Sequence, residues 1–333
     1  MKALSCRLGV SFGLESDLYS FPYGHPMNSS RTELFAKEVG RITREGDNPI
    51  LVKPVQADED DLLLFHTREY VEFVRKSSKV GTGSLDYGDT PSFKGVFEAS
   101  LYPVGNTLNG LRLILDGKFD HFFNPVGGLH HAKSDRAGGF CVFNDAAIAV
   151  SELLELKRMK TVAYVDIDAH HGDGVYYGFE SDPRVIVGDI HEDGRYLYPG
   201  TGDSTETGSK TAEGTKLNIP MPLWATDADF VRAFDRIENF VRGFKPEFIL
   251  FQCGADCLGG DPITQLSYTS AVHAYAARKL HRLAHEVCEG RILAMGGGGY
   301  DPLNVMEGWT TVMNELSGRR AGAADPNAFG PWW

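Results

Sequence analysis

Five side chains that can bind a metal or carry a proton fall within the stretch DIDAHHGDG, residues 166–174: Asp166, Asp168, His170, His171 and Asp173. One metal ion cannot use them all. In an extended segment, side chains two residues apart point to the same side, so Asp168 and His170 can reach a single cation. A merely polar turn is disfavoured, because so many ionisable groups at a buried strand end are costly without a role. Asp256, in Gly-Ala-Asp, would read alone as a turn or cap residue. Beside Asp168 and His170 it becomes the natural third ligand, giving Asp, His and Asp with an open fourth position, as in catalytic zinc sites. Such an ion lowers the pKa of a bound water to about 7 and so yields a nucleophile.

His130 and His131, as an isolated pair, could be ligands, or one could be a satisfied core residue, and ligation would be the less common case. With three ligands assigned, they are better used as proton carriers beside the metal. Asp166 and Asp173 are then left over, enough for two His–Asp pairs in which each carboxylate fixes a tautomer and raises basicity. Tyr300 follows four glycines. That run could be a plain turn with an aromatic plug, or it could let a phenol swing inward to stabilise the oxyanion of a tetrahedral intermediate.

These residues need a scaffold that brings four distant segments together. From about residue 121 the pattern alternates between apolar strand, polar or glycine-rich turn and helix. His121–Val126 enters GGLHHAKSDRAGG, followed by a helix over FNDAAIAVSELLELK; Thr161–Val165 enters DIDAHHGDG; a further strand lies near Arg184–Gly188. Phe248–Gln252 enters CGADCLGGDP before a helix over Ser267–Val287, and Arg291–Ala294 enters MGGGGYDP before a helix over Pro302–Leu316. This alternation predicts a mostly parallel sheet covered on both faces, with ligands bound at the carboxyl ends of its strands. Earlier in the chain we expect a short strand at Lys2–Ser5, a helix over Ser30–Arg44 capped by Asn28–Ser30, and then mostly loop, including the long connection 81–93. No linker or repeat divides the chain, so a single domain over residues 1–333 is expected.

Composition narrows the function classes. The net charge of -12 leaves no basic surplus for sequence-independent nucleic-acid binding and favours cationic partners. Five scattered cysteines in a chain of 333 residues read as reduced thiols. The first residues lack a signal-peptide core, and no apolar run approaches the roughly 18 residues of a membrane span. A cytoplasmic enzyme is expected.

GGLHHAKSDRAGGFCVFND, YVDIDAHHGDGV, YPGTGD, QCGADCLGGDP and GGGGY, in this order and preceded by YGHPMNSSR, resemble the zinc-dependent histone deacetylases and their prokaryotic acetoin-utilisation relatives. The resemblance implies a three-layer α/β/α arginase/deacetylase fold with about eight strands. It implies hydrolysis of N-ε-acyl-lysine in a protein or peptide, with Asp168, His170 and Asp256 holding zinc, or ferrous iron, which accepts such ligands too. By the same resemblance His131 is general base and acid, His130 its electrostatic neighbour, Asp166 the partner of His130 and Asp173 that of His131. Tyr300 polarises the carbonyl, and His171 is left with a structural part. Gly139, Phe140 and Tyr198 match the acyl-lysine tunnel, Asp89 the rim residue that grips the substrate backbone, and Arg31 an arginine of the pocket beneath the metal. A structural potassium ion is implied around Asp166, Asp168, His170, Asp189 and Ile190, although relatives often carry Ser where this chain has Asp189. Three rivals are weaker. A binuclear manganese ureohydrolase would have Asp-x-Asp where Asp256-Cys257-Leu258 stands. A polyamine deacetylase can carry an acidic gatekeeper at the position of Ile263. An inactive acyl-lysine-binding module would lack a ligand, the base or the tyrosine. Oligomeric state has no signal in the sequence.

Overall fold

The strands are β1 (Leu8–Ser11), β2 (Ile50–Val52), β3 (His121–Asn124), β4 (Val162–Asp166), β5 (Val185–Glu192), β6 (Lys216–Met221), β7 (Phe248–Gln252) and β8 (Ile292–Met295). In this computed structural model, which describes residues 6–318 apart from Tyr23 and Asp47, they form one eight-stranded sheet ordered β2-β1-β3-β8-β7-β4-β5-β6. Every pairing in it is parallel.

The central strands are continuous apolar runs because both faces are covered. Val162, Tyr164, Phe248, Leu250, Leu293 and Met295 point into one core, and Ala163, Val165, Ile249, Phe251, Ile292 and Ala294 into the other. The helices are α1 (Glu33–Glu45), α2 (Glu59–Leu62), α3 (Arg68–Val80), α4 (Val96–Leu115), α5 (Asp145–Ser151), α6 (Asp173–Gly178), α7 (Asp227–Phe244), α8 (Ala271–Val287) and α9 (Pro302–Leu316). Helices α1, α7, α8 and α9 cover the second core through Phe35, Phe234, Leu280 and Trp309, while α3 to α6 cover the first through Val74, Leu108, Ile148 and Val175. This is the expected three-layer α/β/α arrangement.

Several local expectations need correction. The segment after α1 is not mostly loop, since it contains β2, α2 and α3. Thr67 caps α3 by accepting from Tyr70 N, Gly81 ends it at φ 75°, and Tyr70, Val71 and Val74 form its buried stripe. Helices α4 and α7 and strand β6 complete the layers without having been anticipated. The first described strand is Leu8–Ser11, and the Lys2–Ser5 candidate lies outside the described residues. The connection 81–93 is a loop, pinned by a bridge between Ser84 and Pro91.

The strand order brings the chemistry together. β3, β8, β7 and β4 are consecutive in the sheet, so the four polar clusters that follow their carboxyl ends lie side by side.

Candidate active site

Asp168, His170 and Asp256 meet just past the ends of β4 and β7, with ligand atoms within 4.8 Å of one another and all three residues buried. His170 Nδ1 is 3.0 Å from Asp168 Oδ1 and 3.1 Å from Asp256 Oδ2. A tetrahedral ion with bonds of about 2.0–2.2 Å keeps its ligand atoms roughly 3.3–3.6 Å apart, so a small widening of these spacings would admit one. Charge points the same way. Burial and the Asp168 charge push Asp256 up to about 7. His170 rises to about 10 despite burial, because it bonds both carboxylates. Two buried carboxylates here share one imidazole proton, and a divalent cation would replace that proton while leaving His170 Nδ1 as a ligand.

The free oxygens of the two carboxylates are also fixed. Asp168 Oδ2 accepts from Gln252 Nε2 and from Gly298 N, both at 2.8 Å, and Asp256 Oδ1 accepts from Ala169 N at 3.0 Å. Gly298 is required there, since a Cβ would stand 2.0 Å from Asp256 Oδ2.

His130 and His131 follow β3. His130 Nδ1 bonds Asp166 Oδ2 and His131 Nδ1 bonds Asp173 Oδ1, each at 2.8 Å, while the two Nε2 atoms lie 3.0 Å apart. Ionised carboxylates only accept, so both Nδ1 atoms must carry protons. The Nε2 contact then requires one further proton, and the pair carries a single positive charge. That charge belongs on His130. Burial opposes it, but Asp166 and Asp168 raise His130 to about 9, whereas burial and the His130 charge lower His131 to about 4. His131 is therefore a neutral imidazole whose Nε2 presents a lone pair. Asp166 also accepts from the Tyr164 hydroxyl at 2.5 Å, and Asp173 pairs with Lys133 Nζ at 3.2 Å.

Tyr300 lies at the end of the glycine run after β8. Its N–H donates to Asp261 Oδ2 at 2.8 Å, its ring meets Phe140 edge-on at 5.8 Å, and burial with the Asp256 charge keeps the phenol well above its ordinary pKa. Arg31 braces the run from beneath, donating to Gly299 O at 2.7 Å and Gly297 O at 2.8 Å. Ile263 sits on the same turn, its N–H bonded to Asp261 Oδ1 at 3.1 Å.

Above His131 a cleft of about 570 Å³ opens to solvent, lined by Asp89, Gly138, Asp173 and Tyr198 among others. The Tyr198 ring stands edge-on to His131 at 5.0 Å. Gly139 has φ 52°, and a Cβ there would fall 2.3 Å from His131 Cδ2, so only glycine lets this loop pass. Asp89 is exposed at the mouth, and its carbonyl accepts from His25 Nε2 at 3.0 Å.

His171 turns away from the cluster to Thr201 Oγ1 at 2.8 Å. Asp189 is buried against His191 Nδ1 at 2.7 Å and Gly172 N at 2.9 Å, beside Ile190 on β5. Sequence reasoning missed Gln252, Asp261 and Lys133, which hold Asp168, Tyr300 and Asp173. The only signal for Gln252 was a polar residue closing an apolar strand.

A sequence model described as the histone deacetylase domain matches residues 25–316. The acetoin utilization protein AcuC of Bacillus subtilis is 38% identical over 312 residues, covering 90% of this chain and 79% of that protein. A probable deacetylase of Archaeoglobus fulgidus is 36% identical over 283 residues, covering 83% and 77%. The crystal structure of a histone deacetylase homologue from Aquifex aeolicus superposes with a TM-score of 0.84 at 29% identity, over 95% of this chain and 85% of that one.

Proposed function

The chain belongs to the histone deacetylase family, and from that premise we propose that it hydrolyses N-ε-acyl-lysine in proteins or peptides. The observation that carries this reading is the pair His130 and His131, bonded to Asp166 and Asp173 respectively and standing next to the Asp168, His170 and Asp256 cluster. A zinc or ferrous ion held by these three residues supplies, when bound, an acidified water and a Lewis acid for the substrate carbonyl. His131 Nε2 accepts the proton as water attacks and returns it to the departing amine. Asp173 holds the His131 tautomer, while Asp166 keeps His130 charged. The Tyr300 hydroxyl donates to the carbonyl oxygen as negative charge develops on it.

Phe140 and Tyr198 suit the walls of a narrow channel for the acyl-lysine stem, with Gly139 giving access to His131. The net charge of -12 suits lysine-bearing substrates. Ile263, partly buried on the Asp261 turn, offers no carboxylate to a second ammonium, which favours peptides over polyamines. Asp166 and Asp189 are both fully buried, so a potassium ion beside Asp166, Asp168, His170, Asp189 and Ile190 would offset charge that His130 and His191 only partly balance.

A fluorogenic acetyl-lysine peptide tests the reading. Turnover should be present with added zinc, vanish with a chelator and return on metal replacement; absence of turnover with every loaded metal would refute it.

Asp89 gives a finer test. Although the residue is exposed at the mouth, partial desolvation of its carboxyl and the neighbouring Asp86 raise it to about 6, so it loses its charge as pH falls through that value. Asp89→Ala should raise the peptide KM about tenfold, the factor of a 1.4 kcal/mol interaction, with kcat little changed. In the parent, KM should climb below about pH 6, whereas the variant should lack that rise. A KM indifferent to the substitution would remove Asp89 from the rim contact.

A further inference from the structure

A second group of metal-binding side chains lies at the opposite end of the strands from the catalytic cluster. Cys6 precedes β1, His121 opens β3, and His281 and His285 stand one turn apart near the end of α8. One ligand atom from each falls within 4.8 Å of the others. Cys6 Sγ is 3.5 Å from His281 Nε2 and 3.3 Å from His285 Nε2. Zinc bonds of about 2.3 Å to sulfur and 2.0–2.1 Å to nitrogen, at a tetrahedral angle, put those atoms roughly 3.6 Å apart. The three rings cluster, His121 meeting His281 edge-on at 4.6 Å and His285 edge-on at 5.2 Å, with His281 and His285 5.0 Å apart.

Proton accounting identifies what the cluster lacks. His121 Nδ1 bonds Gly290 O and His281 Nδ1 bonds Glu315 O, both at 2.8 Å. A carbonyl only accepts, so each Nδ1 must carry the proton and each Nε2 must present a lone pair. Cys6 offers a single S–H. It faces His281 and His285, and among the described residues the fully buried His121 Nε2 has no hydrogen-bond partner. Such an orphan is costly in a protein interior unless something fills the gap. The backbone carbonyls that fix these tautomers also orient the rings as second-shell partners orient metal-bound imidazoles.

We propose that Cys6, His121, His281 and His285 form a closed, structural metal site of the zinc class, separate from the catalytic cluster. One sulfur and three imidazole nitrogens complete a tetrahedral set and leave no position for substrate. Binding replaces the Cys6 proton, which is released to solvent. The catalytic ligands follow the carboxyl ends of the strands, whereas this site sits at the amino ends of β1 and β3. It would fasten those strands to α8.

Cobalt(II) substitution distinguishes the two sites, because the catalytic cluster contains no thiolate. Chelator-stripped full-length protein, reloaded with cobalt, should take up two ions per chain and show a sulfur-to-cobalt charge-transfer band in the near ultraviolet. Asp168→Ala with Asp256→Ala should keep one ion and the band. Cys6→Ser should lose one ion and the band yet keep its acetyl-lysine hydrolysis at saturating metal; should that variant not fold, His285→Ala, at the partly buried edge, should weaken cobalt at this site at least tenfold. A folded parent that binds one cobalt with no charge-transfer band would overturn the proposal, as would a band that survives Cys6→Ser. Neither outcome depends on the substrate assigned above.

Discussion

Replacing His131 by Ala should lower turnover of an acetyl-lysine peptide by about 10² to 10⁴, the usual contribution of a positioned acid-base group, while the metal content of the catalytic site is retained. The size of the effect follows from how the residue is held. Its Nδ1 proton is fixed on Asp173, so Nε2 is the only atom able to exchange a proton. The neighbouring His130 cannot substitute, because Asp166 and Asp168 hold it protonated with a pKa of about 9. Single-turnover kinetics with the metal quantified in the same sample would check this. Turnover within twofold of the parent would move the base elsewhere. Asp173→Asn is the informative companion: it removes the negative charge that fixes the tautomer and lets an amide donor compete for Nδ1, but leaves the imidazole, so it should be less damaging than His131→Ala.

The site was legible where its geometry is local or strand-borne. Asp168 and His170 could be paired from their spacing, although β4 ends at Asp166 and the two are brought together in a bend, where Asp168 Oδ1 accepts from His170 N, rather than in an extended segment. The convergence of His130, His131, Asp256 and Tyr300 with them followed from the alternation of strands and helices, and the strand order β3-β8-β7-β4 shows how it is achieved. Residues that act through long-range contacts left almost no trace. Gln252 is one amide at a strand end, and nothing in its spacing says that it reaches Asp168. Asp261 reads as part of a Gly-Asp-Pro turn until its two oxygens are seen to hold Tyr300 and Ile263.

The same limit hid the Cys6 cluster. Two of its members, His281 and His285, have helical i, i+4 spacing, but that pattern on an amphipathic helix is unremarkable. Cys6 and His121 join them only because β1 pairs with β3 in the register that sets Leu8 opposite His121. Helices α3, α4 and α7 were missed for another reason. α3 and α7 are amphipathic, carrying many charged residues outside their buried stripes, and α4 contains Pro103, so an eye set for apolar strands followed by glycine-rich turns passes over them.

Tyr300→Phe should leave the fold intact and lower kcat by about 10² to 10³, the cost of removing one preorganised donor to a developing oxyanion. The phenyl ring would keep its edge contact with Phe140 and its place near the Arg31 guanidinium, 5.6 Å from the ring centre, so no cavity opens. Its backbone position is set independently by Asp261 and by the two carbonyls that Arg31 grips. Loss of the hydroxyl is thus separated from loss of the loop. Because the oxygen it serves becomes negative only as the carbonyl is attacked, kcat and kcat/KM should fall together, with KM nearly constant. A rise in KM at unchanged kcat would instead mean that the hydroxyl binds the ground-state amide. The phenol's pKa, held high by burial and by Asp256, keeps the proton in place across the neutral range, so the ratio of parent to variant should not change with pH there.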